Sequence, residues 1–139
     1  MAVHSREFAY VQPVLDLLDS RIHPYAVYLF GSGVRGTLRE DSDIDLAFLA
    51  DIHLSSYEQF RLAQEAAELL NREVDLINLS NTETVFRAQI VAMGQLLVNR
   101  DTVRVAEFRI RTLKEYALLN EERAVILNRI QDRGSLYDR

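Results

Sequence analysis

The sequence predicts an α/β (α+β) protein in which a small mixed β-sheet of three or four strands is flanked by helices. Two kinds of observation support this class: short runs of strand length that are apolar or alternating, and longer segments with apolar residues at helical spacing. A length of 139 residues with 48% apolar content suits one domain around one contiguous core.

Three segments predict strands. Ala26–Phe30 is a short apolar run rich in aromatic and branched residues, which is typical of a strand buried on both faces. Asp43–Leu49 alternates, so Asp43 and Asp45 share the face opposite the apolar residues. That apolar face consists of Ile44, Leu46 and Phe48. Val74–Asn78 is the third strand, and it is again short and mainly apolar.

Helical spacing and capping residues predict helices around these strands. The first runs from about Tyr10 to Arg21, before His23 and Pro24. A capping box at Ser55–Glu58 starts the second, which ends near Asn71. Its expected apolar stripe is Phe60, Ala63, Ala67 and Leu70.

The last third of the chain predicts two more helices with a short strand between them. Ser80 and Glu83 are interpreted as a second capping box, and Gly94 as the stop of that helix. Its apolar side includes Phe86, Ile90 and Met93. Leu96–Val98 is expected to be a short fourth strand. Asp101 then caps a final helix that reaches about Ile130, roughly 45 Å at 1.5 Å per residue.

Composition excludes several classes of function. The absence of cysteine excludes disulfides, thiolate metal sites and a cysteine nucleophile. Lys114 is the only lysine, so a Walker-type phosphate loop is excluded. The net charge of −5 argues against direct nucleic-acid binding, and the lack of a signal-like or membrane-length apolar run predicts a cytoplasmic protein. The histidines His4, His23 and His53 are dispersed and are interpreted as surface or capping residues.

The chemistry is concentrated in a Gly-Ser turn followed, ten residues later, by Asp-x-Asp on the next strand. Gly31 lets the backbone pass close to a ligand, and Ser32 with the following amides can donate hydrogen bonds to phosphate. Asp43 and Asp45 lie about 6.6 Å apart along a strand, so their carboxylates can converge on shared metal ions. The site is expected at the open face of the sheet.

A third carboxylate completes the pattern. Asp75 points away from the core, opposite Val74 and Leu76, although Glu73 shares its face and is the alternative acid. Adjacent carboxylates repel one another without cations, and Mg²⁺ prefers oxygen ligands, so two Mg²⁺ ions are expected to stabilise displacement of pyrophosphate.

Two arginines in the turn region, Arg35 and Arg39, are candidates to contact a triphosphate, or else are solvent-facing turn residues. Ser32 lacks a Gly-x-Ser-x-Gly context, so acyl transfer is not expected. No base-reading residue is identifiable, which leaves the nucleotide preference open.

Three segments, Leu29–Gly36, Asp41–Leu46 and Val74–Leu76, resemble the DNA polymerase β-like nucleotidyltransferases. Within them the chain is most similar to the minimal nucleotidyltransferase antitoxins of HEPN/MNT toxin–antitoxin pairs. The resemblance implies a polymerase β-like fold and transfer of AMP from Mg·ATP to a tyrosine hydroxyl of a partner HEPN ribonuclease toxin. It also implies that Gly31 and Ser32 bind the triphosphate, Asp43 and Asp45 hold Mg²⁺, and Asp75 helps to deprotonate the acceptor.

The expected organisation is a nucleotidyltransferase core at residues 1–100 and a helical segment at 101–139 that packs on the core, docks the partner, or does both. That helix carries more apolar surface than one small sheet can bury, and Asn120 is a possible break. Two other functions stay open: a small-molecule nucleotidyltransferase of the aminoglycoside type, and an antitoxin that acts by binding alone.

Overall fold

A computed structural model describes residues 6–31 and 43–137 of the chain. A 3-10 helix at Arg6–Val11 leads into the first α-helix. The elements that follow are α1 (Gln12–Ile22), β1 (Ala26–Phe30), β2 (Ile44–Leu49), α2 (Ser56–Leu70), β3 (Val74–Asn78), a short 3-10 helix (Leu79–Asn81), α3 (Thr84–Met93), β4 (Gln95–Asn99) and α4 (Thr102–Tyr137).

Within the described ranges the strands form one mixed sheet in the order β3-β2-β1-β4. β1 is antiparallel to both β2 and β4, whereas β2 and β3 are parallel. This confirms the fold class and all four predicted strands. β3 and β4 are the edge strands.

Both faces of the sheet are covered. On one face, α1 and α2 pack over Leu29, Leu46, Phe48 and other buried residues of the sheet. On the opposite face, α3 and α4 pack over Tyr28, Ala47 and their neighbours. The expectation of an open sheet face is therefore wrong, because the residues that alternate with the first apolar set are also apolar over most of β2.

Local capping follows the sequence closely at α1 and α2. Ser55 Oγ accepts from the Glu58 N–H, and a Glu58 carboxylate oxygen accepts from the Ser55 N–H, which confirms the predicted capping box. His23 and Asn71 adopt left-handed conformations immediately after α1 and α2, with φ of 48° and 51°. These helix ends lie where the sequence predicts them.

Three details of the helices differ from expectation. The Ser80–Glu83 capping box is wrong: the side chain of Asn78 accepts from the Ser80 N–H, and α3 begins after Glu83 without a side-chain cap. Phe60 and Met93, expected in apolar core stripes, are 58% and 74% exposed. Helical periodicity identifies an apolar face but cannot identify which part of it a neighbouring element covers.

The final helix is longer than predicted and continuous. Its cap is as expected, since Asp101 Oδ1 accepts from the Arg104 N–H at 3.1 Å, but the helix runs to Tyr137 rather than Ile130 and does not break at Asn120. Val105 and Phe108 are buried, as is Thr112, whereas every residue from 120 to 132 is exposed. The first half of α4 thus belongs to the core, and its second half projects from it.

Among the described residues, no helix is both long and apolar enough to cross a membrane.

Candidate active site

The strand register places three side chains of the sheet next to one another. Phe30 at the end of β1 pairs with Asp45 of β2, and Asp45 pairs in turn with Asp75 of β3. Directly paired residues on neighbouring strands point to the same face. Two of the predicted acids, which lie 30 residues apart in the sequence, are therefore adjacent on the face covered by α3 and α4.

Gly31, the residue after β1, lies directly against the side chain of Asp45. Its φ of +73° lies in the left-handed region, and a Cβ built on it would overlap Asp45 Oδ2 and lie 3.2 Å from Asp45 Cγ. The role predicted for this glycine from the sequence is to let the backbone approach a ligand. The structure adds that glycine also makes room for the carboxylate.

Asp45 and Asp75 form an adjacent pair of carboxyl groups on neighbouring strands. The pKa of Asp45 is raised to about 6, first because the side chain is partly buried, then because it is hydrogen-bonded to Asp75, and further because Asp75 and Asp43 are negatively charged. Two ionised carboxylates side by side repel each other. The pair therefore favours a bound cation or a proton between the two groups.

Asp43 lies one residue before β2 and is exposed. Its charge contributes to the raised pKa of Asp45. In residues 6–31 and 43–137, however, no three or more His, Asp or Glu side chains are gathered so that they could hold a metal ion by themselves. The predicted three-carboxylate metal site therefore stays a prediction, whereas the pairing of Asp45 with Asp75 is found.

The donor set suits magnesium rather than a softer metal. Mg²⁺ binds proteins through one or two carboxylates and completes its octahedron with water and substrate phosphate oxygens. The paired oxygens of Asp45 and Asp75 meet this requirement, and their electrostatic conflict is relieved by a bound cation.

Three predicted phosphate contacts, Ser32, Arg35 and Arg39, fall in the segment 32–42 and lie outside the described residues, as does His4. Glu73, the alternative acid, is exposed and lies one residue before β3. It does not line the cleft that contains Asp45. Its carboxylate is thus placed differently from that of Asp75.

The carboxylates open into a cleft of about 610 Å³, which we call the aspartate cleft. Its lining includes Phe30, Gly31, Asp45, Asp75, Phe86, Gln89 and Met93. The rings of Phe30 and Phe86 pack edge to face with centroids 5.6 Å apart. The cleft therefore combines an acidic end with an apolar wall.

Sequence reasoning did not assign Phe30, Phe86, Gln89 or Met93 to the site. A signal was present, because Phe86, Gln89 and Met93 lie three and four residues apart along α3 and thus share one helix face. That face was interpreted as core. The structure divides it between the core, which receives Ile90, and the aspartate cleft.

The family model described as "Polymerase beta, Nucleotidyltransferase" matches residues 12–103, a segment that contains all four strands and the aspartate cleft. The chain is 38% identical over 103 residues to a protein adenylyltransferase, MntA, of Shewanella oneidensis, and the match covers 73% of each chain. It is 34% identical over 86 residues to a probable protein adenylyltransferase MntA of Haemophilus influenzae, covering 61% of this chain and 73% of the relative.

Solved structures of similar fold extend the likeness along the chain. A crystal structure of a toxin–antitoxin with AMP-PNP has a TM-score of 0.77 and 32% identity, covering 91% of this chain and 99% of that one. A structure of tri-AMPylated Shewanella oneidensis HEPN toxin in complex with MNT antitoxin has a TM-score of 0.73 and 29% identity, covering 90% and 98%. The similarity thus includes the region of α4 as well as the sheet.

Proposed function

We propose a function from one premise: the chain belongs to the polymerase β nucleotidyltransferase family. It transfers AMP from ATP to a tyrosine hydroxyl of a partner HEPN toxin, and so acts as the antitoxin that neutralises it. The adenylyltransferase relatives and the complex that contains a tri-AMPylated toxin support this assignment. The proposed reaction also fits the cytoplasmic location expected from the sequence, since ATP is supplied there.

The observation that carries the proposal is the pairing of Asp45 with Asp75 beside Gly31 in a cleft of nucleotide size. In the reaction, the acceptor oxygen forms a bond to the α-phosphorus of ATP. The bond from that phosphorus to the oxygen bridging the β-phosphorus breaks, and its electron pair leaves with pyrophosphate. The hydroxyl proton passes to the carboxylate of Asp75.

Asp75 suits the role of base because of its position. It is exposed on an edge strand, next to the more enclosed Asp45, so an acceptor can reach it from outside the cleft. A tyrosine hydroxyl has a pKa of about 10 and needs a neighbouring base or cation to react at neutral pH.

Substrate binding is assigned to the segment that follows β1 and to the cleft wall. We assign the triphosphate to the Gly31-Ser32 turn, with Arg35 and Arg39 as further phosphate contacts. The apolar wall of Phe30, Phe86 and Met93 suits the flat face of a nucleotide base.

We assign Mg²⁺ to Asp43, Asp45 and Asp75, with two ions expected. When bound, these ions neutralise the triphosphate and stabilise the charge that develops on the leaving pyrophosphate. The protein's part is to hold the carboxylates in register on neighbouring strands.

The test is transfer of label from ATP labelled at the α-phosphate, with the purified toxin, with the toxin lacking its tyrosines, and with neither. Label on the wild-type toxin alone supports the proposal. Label on a small molecule such as an aminoglycoside instead would indicate a small-molecule nucleotidyltransferase. Neutralisation of the toxin without any label would indicate an antitoxin that acts by binding alone.

The exposed half of α4 is our candidate for the surface that docks the toxin. Val125, Ile126, Leu127 and Ile130 are each at least 50% exposed there. Because Thr112 is buried, a truncation at that residue would damage the core, so the chain should instead end after Asn120. This variant should melt like the intact protein and bind ATP normally but capture less toxin in coprecipitation. Full capture by the shortened, folded protein would reject the docking role.

A further inference from the structure

A second cleft, of about 590 Å³, lies between α2 and the free edge of β3. We call it the edge cleft, and its walls include Gln59, Phe60, Gln64, Glu73 and Asp75. Asp75 lines this cleft and the aspartate cleft alike. The proposed base therefore stands between two separate cavities.

The reaction needs access from two sides. In an in-line displacement, the attacking oxygen approaches the phosphorus from the side opposite the leaving group. If the aspartate cleft holds the nucleotide, the acceptor must reach Asp75 from another direction. The edge cleft provides such an approach.

The edge cleft carries an aromatic side chain that the core does not use. Phe60 lies on the stripe that helical spacing assigns to the core, yet it is 58% exposed on the wall of this cleft. A single exposed apolar residue needs no explanation by itself. Its place beside the edge strand that carries the proposed base makes it a candidate anchor for an apolar side chain of a partner.

Backbone hydrogen bonding along β3 indicates which kind of contact a partner can make at this edge. The Ile44 N–H donates to the Glu73 carbonyl, so in a parallel ladder the backbone groups of Leu76 point away from β2. The Leu76 carbonyl already accepts from Gln59 Nε2 at 2.8 Å. The edge of β3 is therefore partly blocked against pairing with an added strand. A partner segment must instead be recognised through side-chain contacts.

We propose that the edge cleft is the acceptor subsite, which receives the polypeptide segment flanking the hydroxyl that is modified. Phe60 anchors an aromatic or aliphatic side chain of that segment. The carboxylate of Glu73 selects against acidic residues at the adjoining position. This inference rests on the proposed function, because it assumes a protein acceptor.

The experiment compares Phe60→Ala with Leu69→Ala, using the full chain, the cognate toxin and α-labelled ATP. Leu69 is a matched control because it is 52% exposed on the same helix but does not line the edge cleft. Phe60→Ala should raise the KM for toxin about tenfold and leave the KM for ATP unchanged. Leu69→Ala should change neither.

A second pair of variants tests the cleft by filling it. Gln64→Trp adds bulk to the wall, whereas Glu68→Trp adds the same bulk on α2 outside the lining. Only the first should raise the KM for toxin. A folded Phe60→Ala and a folded Gln64→Trp that both keep the wild-type toxin KM would overturn the inference, as would an equal rise in the KM for ATP.

Different results would reject the acceptor subsite and the proposed function. Labelling of the toxin by the wild-type protein with no effect of either cleft variant removes the acceptor subsite alone. Absence of toxin labelling by the wild-type protein rejects the proposed function, and the subsite with it.

Discussion

The carboxylates at the two ends of the sheet have opposite kinds of partner, basic at one end and acidic at the other. At the end where β1 begins, Arg104 forms an ion pair with Asp51 at 2.7 Å and stacks on Tyr25, with the guanidinium 3.8 Å from the ring centroid. Asp19 is paired there with Arg100 and His23. At the end where β1 finishes, Asp45 is paired across the sheet with another acid, Asp75.

The pKa values follow this difference. The hydrogen bond from Arg104 lowers the pKa of Asp51, whereas burial and the carboxyl group of Asp75 raise the pKa of Asp45 to about 6. One end thus uses charge to hold strands and α4 together. The other end keeps its acids in an arrangement that is unfavourable without a cation, which is typical of a functional site.

The strongest test of this contrast replaces one aspartate at each end. Asp45→Asn should reduce AMP transfer by about 1000-fold, because a single preorganised electrostatic group contributes on that scale. Asp51→Asn should leave transfer near the wild-type rate. The rates of label transfer under saturating ATP decide the matter, and equal losses in both variants would show that the two ends do not differ in function.

A second test separates two neighbouring acids, Asp75 on β3 and Glu73 one residue before that strand. Asp75→Asn should slow transfer by about 100-fold, the scale expected for loss of a catalytic base, while ATP binding is largely kept. Glu73→Gln is the control for the chemical step at saturating toxin, since Glu73 lines the edge cleft but not the aspartate cleft. Single-turnover rates and nucleotide titrations provide the two readouts. A wild-type rate for Asp75→Asn with a slow Glu73→Gln would show that Glu73 is the base.

A third test concerns the contact between Gly31 and Asp45. Gly31→Ala should reduce transfer by about tenfold, because the new methyl group displaces the Asp45 carboxylate, a change worth about 1.4 kcal/mol in the barrier. A double-mutant cycle on stability isolates this clash. In an Asp45→Ala background, Gly31→Ala should destabilise the fold less, since only the strain of a positive φ remains. Additive stability losses would exclude the steric conflict.

The smallest expected effect is the pH dependence of stability in chelator-treated protein. The folded-state pKa of Asp45 is raised from 3.8, so its contribution to stability is complete below about 3.8 and is lost as the pH rises through about 6. The stability advantage of wild type over Asp45→Asn should therefore shrink between these pH values.

Asp51 should show the opposite sign. Its pKa is lowered from 3.8, so its contribution is present above that value and is lost as the pH falls through the folded-state pKa. Urea unfolding of wild type, Asp45→Asn and Asp51→Asn across this range compares the two ends directly. Parallel pH profiles for both variants would contradict the assigned pKa directions.

Local chemistry accounts for the features that the sequence predicted well. The Ser55–Glu58 capping box and the Asp101 cap involve residues three positions apart, and the strands follow from alternation or short apolar runs. The predicted Ser80–Glu83 box has the same three-residue spacing but does not form, because the Asn78 side chain accepts the hydrogen bond from the Ser80 N–H. Local patterns predict reliably only where one local partner is available.

The misplaced side chains have a non-local cause. Phe60 and Met93 follow apolar helical stripes, but the residues that the neighbouring elements bury are Leu62 and Ala66 on α2 and Ala88, Ile90 and Val91 on α3, which centre on another side of each helix. In α4 the apolar residues continue past the core without any change of local pattern. Periodicity reports the direction of a side chain around its helix and says nothing about the extent of the neighbouring layer.

By itself, the sequence determined the strands that bear the acids, the side of each strand on which Asp45 and Asp75 lie, and the glycine that follows β1. Only the tertiary structure decided that Asp45 pairs with Asp75, that Gly31 packs against Asp45, and that Asp75 stands between two clefts. The physical reason is that side-chain direction repeats every two residues along a strand and can be read locally. Strand order and register depend instead on contacts between residues far apart in the chain.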